Sequence, residues 1–144
     1  MSWKCQEPEC QFENSDDNSV ICSCCGRARR SRLVLTAPSG TSWDTRVEVE
    51  VTRAVYRRLY PGVEHQYVPR SEGGHPYSIV KANTGEWQLL ANPSSPIRTV
   101  LNAEACEGGR RYGLKGGDSI SIAPPANVAK TFAPLTVSLL PISK

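Results

Sequence analysis

Four cysteines in two close pairs, Cys5 with Cys10 and Cys22 with Cys25, constrain the first part of this chain more than any other feature. The stretch that carries them, Trp3 to Cys25, reads WKCQEPECQFENSDDNSVICSCC, and the residues between the pairs are acidic and polar. A segment this short and this poor in hydrophobes cannot hold a shape by burial alone. Paired cysteines about a dozen residues apart offer four thiolates to one tetrahedral Zn²⁺. The pattern therefore predicts a structural finger over residues 1–26 holding one Zn²⁺ per chain through Cys5, Cys10, Cys22 and Cys25. Cys24 pairs poorly with either knuckle neighbour and is expected as a free surface thiol. Cys106 is expected free in a loop or the core.

Trp3, Cys5, Cys10, Asn14, Cys22 and Cys25 resemble, in type and order, the nuclear-pore Ran-binding-protein type of zinc finger, the NZF family. The Cys5–Cys10 interval is at the long end for that family, and the Asn14-to-Cys22 interval is one residue longer than its commonest form. Trp3 is expected to cover the metal site and Asn14 to bond knuckle backbone groups, a way of fixing ligands from behind. The resemblance implies a binder of ubiquitin or of single-stranded RNA. Ubiquitin-binding members carry Thr-Phe just after the second cysteine, where this chain has Gln11-Phe12. Gln11 and Phe12 are accordingly the residues expected to meet a ubiquitin-like protein. The arginines of RNA-binding members are missing before Arg27.

Charge is segregated along the chain. Residues 1–26 hold Lys4 against Glu7, Glu9, Glu13, Asp16 and Asp17, a balance of −4, so the remaining 118 of 144 residues carry +7 of the overall +3. An acidic finger is a poor phosphate ligand, because nucleic-acid affinity comes from Lys and Arg displacing counterions. Residues 27–32, RARRSR, form a basic linker that counters the finger; the competing readings are a nucleic-acid patch or an import signal. No apolar run approaches the roughly 20 residues that span a bilayer, and charges and cysteines begin at Lys4 where a signal peptide would have its apolar core. These features point to a reducing compartment, the cytoplasm or, in a eukaryote, the nucleus, with no membrane partner.

From residue 33 the pattern becomes that of short strands. Leu33-Val34-Leu35 is an apolar run ended by Pro38-Ser39-Gly40. Arg46 to Arg53 alternates valine with charged and polar residues, which predicts a half-buried strand with the valines inward. Further strands are expected at 77–82, 87–90, 99–101, 119–122 and 135–139, with helical turns only at 54–59 and 103–107. Asn83-Thr84-Gly85, Asn92-Pro93, Gly108-Gly109 and Gly116-Gly117-Asp118 are turn signals, and the two Gly-Gly pairs fit hairpins. The reading is mainly β: an antiparallel β-sandwich over residues 33–144.

Gly85-Glu86-Trp87-Gln88-Leu89, then Ser95 to Ala103, then Leu114 to Ile122 resemble the C-terminal half of a forkhead-associated (FHA) domain. Val51-Thr52-Arg53 stands where that family has Ile-Gly-Arg, and Arg70-Ser71-Glu72-Gly73-Gly74-His75 near its Ser-Arg-x-His. The family binds phosphothreonine peptides through loops at one end of the sandwich. The resemblance makes Arg53 and Ser71 phosphate ligands. The family's Asn-Gly is replaced here by Ile97-Arg98, and Ile cannot supply an amide's hydrogen bonds. Arg98, Arg70, Arg57 and Arg58 offer substitute cationic forks.

No catalytic constellation emerges. His65 and His75 lie in no motif tied to a nucleophile, and four cysteines close the metal shell against a water. The sequence thus reads as a non-catalytic adaptor for signalling, binding a phosphothreonine-containing or acidic protein segment through Arg53, Arg70, Ser71 and Arg98. The alternatives are a nucleic-acid binder using the linker and the basic sandwich face, and a structural subunit of a larger assembly.

Overall fold

The computed structural model describes residues 2–7, 9–15, 21–27, 29–62, 68–69, 73–124 and 130–141. They form twelve strands and one helix: β1 (Trp3–Lys4), β2 (Glu13–Asn14), β3 (Ser31–Thr36), β4 (Ser42–Thr45), β5 (Val49–Val51), α1 (Arg53–Leu59), β6 (Tyr77–Lys81), β7 (Trp87–Ala91), β8 (Arg98–Leu101), β9 (Glu104–Ala105), β10 (Arg111–Gly113), β11 (Ser119–Ala123) and β12 (Phe132–Pro141). β1 and β2 make a two-stranded ribbon; the rest fall into a four-stranded sheet, β10-β7-β6-β5, and a six-stranded sheet, β4-β3-β12-β11-β8-β9. Every pairing is antiparallel. The protein is mainly β, the antiparallel sandwich that its strand pattern predicts. Among the described residues no helix is long and apolar enough to cross a membrane.

Alternation builds the core. Leu33 and Leu35 of β3, Ile120 and Ile122 of β11, and Leu135 and Val137 of β12 meet Val51, Tyr77, Ile79 and Leu89 of the other sheet, all essentially fully buried. At about 1.5–3 kcal/mol for each large aliphatic side chain, this layer is the main source of stability. α1 is too short to persist alone; it docks by burying Val55, Tyr56 and Leu59, while Arg57 and Arg58 face the favourable C-terminal end of its dipole.

Three expectations fail for local reasons. The strand read at 46–53 shrinks to Val49–Val51, and Val47 is 66% exposed instead of inward. Thr45 Oγ1 donates to the Val47 carbonyl and accepts from the Val47 N–H, which turns the chain there. The helical turn at 103–107 is absent because Asn102 and Ala103 both take positive φ, 49° and 69°, and reverse the chain from β8 into β9. Gly108-Gly109 and Gly116-Gly117 are not hairpin turns. The first carries the chain from the six-stranded to the four-stranded sheet, and the second carries it back.

Tyr56 and Tyr77 meet in the core edge-to-face, with centroids 6.4 Å apart and their hydroxyls 2.8 Å apart. Burial holds both phenols well above the usual value of 10. Above that value an unfolded chain loses these protons and the folded chain keeps them, so stability is fully present below pH 10 and falls as pH rises further. Urea titrations at pH 8 and pH 11 should show this loss, and the Tyr56→Phe/Tyr77→Phe double variant should show a smaller one. Tyr77→Phe alone strands the Tyr56 hydroxyl and should cost about 1–3 kcal/mol.

Candidate functional sites

The first candidate is the cysteine cluster. β1 and β2 pair Trp3 with Asn14 and Lys4 with Glu13, which folds Cys5 and Cys10 onto one side of the ribbon. The Cys5 N–H donates to Phe12 O, while Gln11 takes φ 51° to close the turn after Cys10. In the second knuckle the Gly26 N–H donates to Cys22 O at 2.9 Å, and Gly26 sits at φ 75°, where a side chain would be strained.

The four sulfurs lie within 4.8 Å of one another. Cys5 Sγ is 3.6 Å from Cys25 Sγ, and Cys10 Sγ is 3.7 Å from Cys22 Sγ. Four thiolates about 2.3 Å from one Zn²⁺ would stand about 3.8 Å apart. The donors therefore fit a tetrahedral thiolate site. Trp3 and the buried Cys5 and Cys22 form their own small cluster, with Cys10 against it. Asn14 is buried, and its Oδ1 accepts from the Ser23 N–H at 2.9 Å and the Ser23 hydroxyl at 3.2 Å. Burial would raise the Cys22 thiol, but N–H groups of Cys25 and Cys24 and the Asn14 side chain bring it down to about 6. Burial pushes Cys5 up to about 12. Cys24 is exposed and Cys106 is buried in the sandwich core.

The basic linker is folded against the finger. Cys22 N–H donates to Arg27 O at 2.9 Å, the Arg29 guanidinium lies 5.1 Å over the Trp3 ring, and the Arg30 N–H donates to Gln6 Oε1. Arg32 pairs with Asp44 at 3.4 Å. Ser31 then opens β3, and its hydroxyl accepts the Trp87 indole N–H. Arg29 and Arg32 thus both make side-chain contacts within the chain. On the finger surface Gln11 is exposed, and Phe12 is 43% exposed.

The second candidate is one end of the sandwich. Val51, Tyr77 and Ala91 are partners on a single rung of the four-stranded sheet. From that rung the chain leaves toward Arg53, toward 73–76 and toward 92–97. Asn92 Nδ2 donates to the carbonyls of Gly73 and His75, both at 2.7 Å. The Ser95 hydroxyl donates to Gly74 O and accepts from the Ile97 N–H. Across the sandwich Thr99 Oγ1 donates to Pro76 O, tying the start of β8 to the same group. Arg53, half-buried, and Arg98, exposed, therefore belong to the same end of the fold, with exposed Arg57 and Arg58 on α1. Arg70 and Ser71 lie outside the described residues, as does His65. The arrangement offers guanidinium groups on a backbone framework held by side-chain hydrogen bonds.

Sequence reasoning missed Asn92, whose side chain organises this end. Its only local signal is the Asn-Pro turn. Also missed is a serine–histidine–carboxylate contact: His75 Nε2 is 3.2 Å from Ser78 Oγ and 3.8 Å from Glu50 Oε2. Both partners share one ring nitrogen. A proton relay needs the carboxylate on the other nitrogen, so this contact does not activate Ser78.

No protein-family model and no curated protein matches the chain. Among solved structures, the chain is similar to the solution structure of the FHA domain of an Arabidopsis thaliana hypothetical protein, at 18% identity and a TM-score of 0.47 over 91% of this chain and 97% of that one.

Proposed function

We propose that the protein is a non-catalytic adaptor whose loop end binds an acidic or phosphothreonine-containing protein segment. The observation that carries the reading is the common rung: the chain leaves for Arg53, 73–76 and 92–97 from Val51, Tyr77 and Ala91, and 92–99 is bonded to 73–76. Arg53, Arg98, Arg70 and Ser71 supply the phosphate or carboxylate contacts, as the FHA-type motifs suggest. Arginine's planar fork suits both anions. The finger holds one structural Zn²⁺, and Gln11 and Phe12 present a face to a ubiquitin-like protein. A zinc site of four thiolates suits a reducing compartment, the cytoplasm or the nucleus.

A phosphothreonine peptide array probed with wild type and Arg53→Ala tests the reading. The expected result is binding by wild type that falls tenfold or more in the variant, since a hydrogen bond to a charged group contributes about 1.5–3 kcal/mol and about 1.4 kcal/mol is tenfold. Equal binding by both, or none by either, removes it. The nucleic-acid alternative is weakened by the finger against which the linker folds, a segment that carries −4 over residues 1–26 and repels phosphate. It requires a gel shift that collapses steeply as salt rises.

A further inference from the structure

The connection from β9 to β10, residues 106–110, is built onto the loop end. Cys106 is buried and its N–H donates to Thr99 O at 2.9 Å, one residue from Arg98. Gly108 presses on Pro93 so closely that an added Cβ would lie 2.6 Å from Pro93 Cα. The Gly109 N–H donates to Ala91 O at 2.7 Å, and the Ala91 N–H donates to Arg110 O. Arg110 is therefore level with the rung from which the chain runs to Arg53 and to 73–76.

Its side chain is arranged as well as placed. The guanidinium lies 5.5 Å over the Tyr112 ring, and the Tyr112 hydroxyl accepts the Glu107 N–H at 2.8 Å. Tyr112 packs on the core, so the ring is a fixed platform. A guanidinium over an aromatic face is attracted by the ring and keeps its N–H edge for an acceptor. The acceptor within this chain is Glu107, 3.8 Å away, with both side chains well exposed at 64% and 74%. Such a pair is worth little and gives way to a stronger anion. Arg111, the next residue, instead donates to Gln88 Oε1 on β7.

We propose that 106–110 is a further recognition loop and that Arg110 takes a second anionic group, carboxylate or phosphate, on the bound segment. This rests on the reading of the loop end as a site for an acidic protein segment. The ligand class narrows accordingly to segments carrying two separated negative side chains, with Glu107 occupying the Arg110 position until the segment arrives.

The test uses the full chain and the best phosphothreonine peptide from a degenerate library. That peptide is resynthesised with each flanking position set in turn to alanine, aspartate or a second phosphothreonine. Wild type should prefer one acidic flanking position by about five- to tenfold, as one charge-assisted contact implies. The aspartate and phosphothreonine arms decide between carboxylate and phosphate. Arg110→Ala should lose that preference while binding the alanine-flanked peptide within twofold of wild type. Glu107→Gln should strengthen it, and Arg111→Ala should leave it unchanged. An undiminished preference in Arg110→Ala overturns the proposal, as does an equal weakening by Arg110→Ala and Arg111→Ala, which would mean diffuse charge only. Failure of wild type to bind any library peptide overturns the loop-end reading itself. Binding that needs Arg53 but ignores Arg110 overturns this inference alone.

Discussion

Replacing Cys22 by serine should take the metal content from about one zinc per chain to none and unfold residues 1–26, while the sandwich melts where it did before. The finger has almost nothing else to hold it. Its apolar cluster is Trp3, Cys5 and Cys22 with Cys10 alongside, and three of those four are themselves ligands. Zinc bound to four thiolates contributes an apparent 10–16 kcal/mol or so to a finger of this size. Cys22 also anchors the second knuckle, donating to Arg27 O and accepting from the Gly26 N–H. Loss of the site should free the linker contacts of Arg29 and Arg30, so trypsin should cut after those arginines many times faster. Elemental analysis, Trp3 fluorescence and timed trypsin digestion read the three consequences. A finger that stays protected after chelation, or disulfides between the paired cysteines in freshly purified protein, would sink the zinc assignment.

Asp118→Ala should destabilise the sandwich by about 2–4 kcal/mol, or lower Tm by roughly 10 °C for a domain of this size. Asp118 is only 4% exposed, and its carboxylate accepts from the Lys115 N–H at 2.9 Å and from Asn102 Nδ2 at 3.0 Å. Asn102 in turn accepts the Ser119 N–H through its Oδ1. Removing the carboxylate breaks both of these bonds and loosens an Asn102 held at φ 49°. Hydrogen bonds to a charged acceptor contribute about 1.5–3 kcal/mol each, and backbone relaxation recovers part of the loss. Glu107→Ala, at an exposed side chain, should move Tm hardly at all. If the two variants melt together, the network is not a stabilising element.

The parts legible in the sequence are those where chemistry is local. Two cysteine pairs specify their own cluster because four sulfurs must converge to be of use. The strands expected at 77–82, 119–122 and 135–139 are legible because their apolar residues recur at every second position and pack in the core, as Tyr77 and Ile79, Ile120 and Ile122, and Leu135 and Val137 do. The failures came where a distant or unlikely partner decides. β4, Ser-Trp-Asp-Thr, is a strand because β3 pairs with it, and its exposed residues carry no apolar alternation. Thr45 ends the valine alternation with one hydroxyl. The Gly-Gly pairs look like hairpins from either side, and only the pairing of β10 with β7 reveals a change of sheet. Arg110 is one of many arginines until Pro93 and Tyr112 are beside it.

The finger and the loop end are set apart by strand direction. β3 begins at Ser31 opposite Pro141 and runs toward Thr36, opposite Thr136, so the finger joins at the end of the sheet far from Arg98 and Ala123. On the proposed reading, the sandwich is thus a spacer between a finger face at one pole and the anion-binding loops at the other. Two ligands can be held together without colliding, but a short bivalent ligand gains no avidity from having both epitopes. Effective concentration is near zero for a tether that cannot span its sites and peaks when its reach matches the gap. Affinity for a doubly marked partner should therefore rise sharply at one tether length, the length of the sandwich, and decline slowly beyond it.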